Sequence, residues 1–167
     1  MTTYHTTEAI VLGSYDIGES DRGIIFYTRA FGKIETIAKS IRLEKSKLKG
    51  HTILFAHVDI IFIGVRDGYR LISAELLKAP NDDIIASFPN MLAFRDFLLR
   101  LLKGTEHDEL LWNFLNDVFI VRKLLPRDAV HLFSLKTETL HIFGMLPEEG
   151  IRTENDIRTV LAANHML

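Results

Sequence analysis

The sequence predicts an all-β N-terminal domain followed by an all-α helical domain. Three observations carry this prediction. Over the first 78 residues, short runs rich in β-branched and aromatic side chains alternate with Gly- and Asp-containing turns. Ala79-Pro80-Asn81-Asp82 then interrupts the strand pattern, because Pro has no N–H for a ladder and Asn favours a turn. Beyond it, apolar residues recur at helical spacing.

Glu8-Ala9-Ile10-Val11-Leu12 is a short, nearly continuous apolar run, as expected of a strand buried on both faces or closed into a barrel. A polar turn over residues 16–21 leads to Gly23-Ile24-Ile25-Phe26-Tyr27-Thr28 as a second strand. Phe31-Gly32-Lys33 makes a tight connection, and residues 34–39 alternate as a half-buried third strand. The polar stretch 40–50 breaks the pattern. A long fourth strand is expected over residues 53–63, then a five-residue hairpin loop at 64–68 and a fifth strand over 69–76. Five short antiparallel strands suit a small closed barrel, of which the OB-fold is the commonest five-stranded example, although periodicity does not specify barrel topology.

The helical domain opens with Met91, Phe94, Leu98, Leu101 and Leu102 at helical spacing, ended by Gly104. Thr105 is expected to cap a second helix running to Lys123, with Leu111, Phe114, Leu115 and Val118 as its buried stripe. Pro126 and Asp128 open a third helix over 129–143, closed by Gly144, and Thr153 caps a last one to Ala163. The expected domains are therefore residues 1–79, a β domain, and residues 80–167, a helical domain.

Hydrophobic residues make up 47% of the 167 and charged ones 25%, the balance of a soluble globular protein. No cysteine is present, which excludes disulfides and thiolate zinc sites and fits a reducing compartment. The first residues, Met1-Thr2-Thr3-Tyr4-His5, lack the charged and apolar regions of a secretory signal. The longest apolar run, about six residues, is far short of a membrane span. A cytoplasmic protein is expected, with no membrane association.

The formal charge of −2 hides an uneven distribution. Residues 1–80 carry 11 Lys/Arg against 9 Asp/Glu, whereas residues 81–167 carry 9 against 13. Within residues 33–49 there are six bases and two acids. Such a cluster suits phosphate binding, because each neutralised phosphate releases condensed counterions; it equally suits a solvated, charge-rich loop. Single-strand binders add aromatic platforms, and Tyr15, Tyr27 and Tyr69 are the best candidates since a phenol tolerates an exposed face.

Catalytic constellations are lacking. Gly18-Glu19-Ser20-Asp21-Arg22 has no nearby His to activate a nucleophile and reads as a turn, with Arg22 left as a candidate for phosphate. The seven histidines are scattered, with no pair at the i, i+4 spacing of a helical zinc site. There is no phosphate-cradling Gly loop and no nucleophile elbow. A non-enzymatic protein without metal, cofactor or small-molecule substrate is expected.

Several segments come in order. They are Thr7-Glu8-Ala9-Ile10-Val11-Leu12, Gly18-Glu19-Ser20-Asp21-Arg22, Thr28-Arg29-Ala30-Phe31-Gly32-Lys33-Ile34, Ala38-Lys39-Ser40-Ile41-Arg42, Ser46-Lys47-Leu48-Lys49-Gly50, Phe55 and Ala74-Glu75-Leu76-Leu77. As an ordered set they resemble the bacterial RecO recombination and repair mediators; Phe143-Gly144-Met145-Leu146-Pro147 extends the likeness in pattern. The resemblance implies an OB-fold packed on a helical domain, binding of single- and double-stranded DNA, and strand annealing. It also implies partnership with RecR and single-stranded DNA-binding protein in RecA loading. The DNA-binding role then falls on Arg22, Arg29, Lys33, Lys39, Arg42, Lys45, Lys47 and Lys49, the cluster from Lys39 onward favoured. The alternative is a protein-docking hub in which DNA contact is incidental. Ser40 stands where the family usually has Gly, Lys47 where Arg is common, and Thr52 and Leu54 replace Leu and Pro. The family's cysteine zinc motif after the Leu-Pro segment has no counterpart, so a reduced member or a fragment is expected.

Overall fold

The structure is a computed structural model and describes residues 2–167. Its first compact unit comprises the chain up to Pro80 together with Gly104–Trp112; the second comprises Asn81–Lys103 and Asn113–Leu167.

Five strands, β1 (Tyr4–Ile17), β2 (Asp21–Thr28), β3 (Gly32–Ala38), β4 (His57–Val65) and β5 (Gly68–Lys78), form a closed barrel in the order β1-β2-β3-β5-β4. Closure depends on the length of β1. Residues 4–10 pair with β4 and residues 9–17 with β2, and a register shift between Val11 and Gly13 bends the strand between its two partners. The seam is a short parallel contact, Thr36 with Tyr69 and Ile37 with Arg70. A barrel this small is filled by its own side chains. Val11, Ile24, Phe26, Ile34, Val58, Ile60 and Phe62 supply the filling, and the Phe62 ring meets those of Phe31 and Tyr69 edge-on at 5.3 and 5.2 Å.

Several local boundaries differ from expectation, beginning with β1, which runs well beyond the apolar run 8–12 into the expected turn. The fourth strand begins at His57 rather than Ile53, because Phe55 adopts a positive φ of 66° while residues 55 and 56 bond to Val11. The next hairpin is tighter than expected: Val65 pairs with Gly68, leaving only Arg66 and Asp67 in the loop.

Gly104–Trp112 belongs with the barrel unit for identifiable reasons. Gly32 turns from β2 into β3 at φ 64°, and a Cβ there would collide with the Glu106 carbonyl. The Tyr27 phenol donates to the Asp108 carbonyl at 3.5 Å, and its ring stacks on Trp112 at 6.4 Å between centroids. Tyr27 is therefore buried rather than a free platform, and burial pushes its pKa up to about 12. The segment before Asp108 is not helical, which corrects the expected cap at Thr105. The Asp108 carboxylate instead accepts from Leu111 N at 3.0 Å, and the helix starts at Glu109.

Helices follow the barrel: α1 (Asp82–Ala86), α2 (Phe88–Leu101), α3 (Glu109–Leu115), α4 (Ala129–Ile142) and α5 (Glu154–Ala163). A π-helical turn, Asn116–Ile120, extends α3 and ends it short of the expected Lys123. In the second unit Phe94 meets Phe114 and Phe119, with centroids 6.3 and 6.2 Å apart, and Leu98, Leu115, Val118 and Leu140 are fully buried. Asp128 caps α4, and Thr153 caps α5 with Asp156 bonding back. No helix among the described residues is long and apolar enough to cross a membrane.

Replacing Gly32 with Ala should destabilise the protein by about 1–3 kcal/mol, from the strained φ plus the collision with Glu106. Gly50→Ala, which faces open space, should leave the thermal midpoint nearly unchanged. Equal midpoints for the two variants in a thermal melt would contradict the packing described.

Candidate nucleic-acid interface

The connection between β3 and β4 is a succession of turns fastened to the barrel. Ile41 is 1% exposed within the barrel core, and Leu48 packs against that core. His51 Nδ1 lies 2.7 Å from the Ala74 carbonyl, and the Thr52 hydroxyl donates to the Leu48 carbonyl at 3.2 Å. With apolar residues at 41 and 48 directed inward, Lys45, Lys47 and Lys49 lie exposed between and beside them. None of the three forms an ion pair among the described residues.

Arg22, Lys39 and Arg42 gather at the β1–β2 turn around two carboxylates. Asp21 accepts from Lys39 Nζ at 2.7 Å and from the Ser40 backbone N–H at 2.8 Å. These bonds, the Lys39 contact foremost, hold its pKa below the ordinary carboxylate value. Asp16 receives Arg22 Nε at 3.0 Å and lies 3.7 Å from Arg42 Nη1. Arg42 also donates to the Gly18 carbonyl at 3.0 Å, while its backbone N–H donates to the Ser20 carbonyl. With Glu19 in the same turn, the three cations are matched by three carboxylates, and the hydrogen bonds rivet the turn to the start of the basic connection.

Arg29 and Lys33 stand elsewhere. Arg29 follows the far end of β2, roughly 23 Å along the strand from Arg22 at its usual rise per residue, and Lys33 stands on β3 opposite Tyr27. Each is engaged: Arg29 Nη1 with Glu8 at 2.9 Å, and Lys33 Nζ with Glu35 at 3.6 Å. Glu8 also accepts from His57 Nε2 at 2.9 Å. Burial raises its pKa, yet the His57 and Arg29 bonds outweigh that and the net shift is downward.

Sequence reading missed Arg66 and Arg70, both exposed and without an ion pair among the described residues. Isolated in a hairpin and a strand, they lack the clustering that drew attention to residues 33–49. Of the three tyrosines, Tyr15 is 47% exposed, whereas Tyr69 is half-buried against Phe62 and Tyr27 is fully buried.

Asp21, with its lowered pKa, stabilises the fold above the ordinary carboxylate value of 3.8 and loses that contribution as pH falls through the depressed value. Asp21→Asn should therefore lower the thermal midpoint at pH 7 and make little difference near pH 2. A deficit of the same size at both values would show that the Lys39 and Ser40 bonds are not its source.

The family model for the recombination protein O N terminal matches residues 1–80. The DNA repair protein RecO of Thermodesulfovibrio yellowstonii is 30% identical over 149 residues, covering 87% of this chain and 59% of that protein. That of Desulfitobacterium hafniense is 28% identical over 147 residues, covering 81% and 50%. That of Bifidobacterium longum is 31% identical over 105 residues, covering 62% and 44%. The chain thus spans about half the length of these relatives. The N-terminal region that matches the family model folds as a closed five-stranded barrel, and the likeness to the relatives reaches into the helices: the chain is similar to RecO proteins over most of its own length.

Proposed function

We propose that this chain is a non-catalytic DNA-binding mediator of recombination and repair. In this reading the barrel is an OB-fold, whose strand order is the one observed, and the β3–β4 connection is its phosphate-binding element. The observation that carries it is the state of Lys45, Lys47 and Lys49: exposed, free of carboxylate partners among the described residues, and mounted on a connection pegged by Ile41 and Leu48. A lysine already neutralised by a carboxylate gains less from a phosphate, because one attraction is exchanged for another. A lysine facing only water and counterions gains the full release entropy.

Arg22, Lys39 and Arg42 extend this surface and fix its attachment; Arg29 and Lys33 contact DNA only along a longer path. Single- and double-stranded DNA both present the required phosphates. Annealing follows when the bases screen the repulsion between two strands held at once. Partnership with RecR and single-stranded DNA-binding protein during RecA loading is proposed from the similarity to RecO proteins. A cytoplasmic location fits these partners.

Anisotropy of labelled single strands titrated with the full chain at rising salt tests the reading. Four contacted phosphates give a log–log slope of about −3, and replacing Lys45, Lys47 and Lys49 with Ala flattens it by about 2. Absence of binding at low salt, or an unchanged slope in the triple variant, defeats the proposal.

A further inference from the structure

The registers of four strands align Tyr15 (β1), Gly23 (β2), Ile37 (β3) and Arg70 (β5) in one row across the sheet. The row lies on the outer face of the barrel, since the alternate positions Ile24, Phe26, Ile34 and Ala38 point into the core. Gly23 leaves a gap there, and the Tyr15 ring fills it. A Cβ on Gly23 would run into the ring, with two of its carbons only 2.6 and 2.7 Å away. The ring is tethered at its far end as well, its hydroxyl donating to Glu35 Oε2 at 3.3 Å. Yet the residue remains 47% exposed, so the face turned away from Gly23 is open.

A tyrosine laid flat on backbone and held at both ends has little freedom left to lose, which is the property of a good stacking surface. Its neighbours suit an anionic strand. Arg70 lies three strand spacings away, roughly 14 Å between Cα atoms, and is exposed with no carboxylate partner among the described residues. Glu35, the acid that the ring's hydroxyl bonds, is compensated by Lys33 Nζ at 3.6 Å and by that hydroxyl. Ile37, half-buried between Gly23 and Arg70, continues the row with an apolar surface.

We infer that this face holds one base of single-stranded DNA stacked on the open side of Tyr15, with Arg70 contacting the strand's phosphate. The inference rests on the DNA-binding reading above and adds a strand preference to it, because a paired base in a duplex has no free face to offer the ring.

The test uses the full chain with labelled oligothymidylate and a duplex of equal length. Tyr15→Leu still covers Gly23 but has no π face. It should weaken oligothymidylate binding roughly tenfold while leaving duplex binding and the thermal midpoint near those of the parent. Tyr15→Phe, which keeps the π face and loses the Glu35 tether, should bind oligothymidylate less tightly than the parent and more tightly than Tyr15→Leu. Arg70→Gln should reduce the single-strand salt slope by about 0.7. Unchanged oligothymidylate affinity in Tyr15→Leu overturns the inference and leaves DNA binding standing. An equal loss on both DNAs also overturns it, since the ring would then act only through the fold. If Tyr15→Leu does not fold, an unchanged slope in Arg70→Gln is sufficient to overturn it. Failure of the parent chain to bind either DNA would instead remove the DNA-binding reading itself.

Discussion

The filling of a five-stranded barrel is the constraint on which the rest of this structure depends. So small a barrel closes only if side chains occupy its interior completely. The strands alone do not supply everything: Ile41 and Leu48, from the connection between β3 and β4, pack with the strand residues. Anchoring those two side chains limits the paths open to the chain between them. The lysines that alternate with them are directed to solvent, because burying an unpaired ammonium would cost far more than any packing gain. A basic surface thereby follows from an apolar requirement.

Carboxylate placement then divides the bases into two kinds. Asp16 and Asp21 engage Arg22, Lys39 and Arg42 at the β1–β2 turn, and Glu8 and Glu35 engage Arg29 and Lys33. Exposed ion pairs of this sort contribute little stability each. Their consequence here is positional: they fasten the turn and the hairpin while reducing the charge those arginines and lysines present outward. The free lysines of the connection keep theirs. Counting Lys and Arg along the chain cannot make that distinction.

Two glycines show how the outer surface of β2 is allotted. Gly32, at the β2–β3 turn, lets the Glu106 backbone approach, and the same segment covers Tyr27. Gly23, near the other end of the strand, is covered by Tyr15, whose second face stays open. One position is committed to holding the fold; the other carries a ring that keeps an open face.

Local patterns made the strands, the long helices, the caps at Asp128 and Thr153, and the basic run legible in the sequence, because each depends on residues within a turn or two of one another. The buried stripes Met91-Phe94-Leu98 and Leu111-Leu115-Val118 were legible for the same reason. The start of β4, the cap at Asp108 and the burial of Tyr27 were not. Each is decided by a partner far along the chain: Val11 for Phe55, the barrel unit for residues 104–112, and Trp112 for Tyr27. The row from Tyr15 to Arg70 is the clearest case. Its members span 55 positions in sequence and meet only through three strand registers. Composition and periodicity therefore determined which segments are strands and helices and where positive charge concentrates. Only the tertiary structure decided which bases are already paired and which aromatic ring keeps an open face, because pairing and burial depend on register and packing between distant residues.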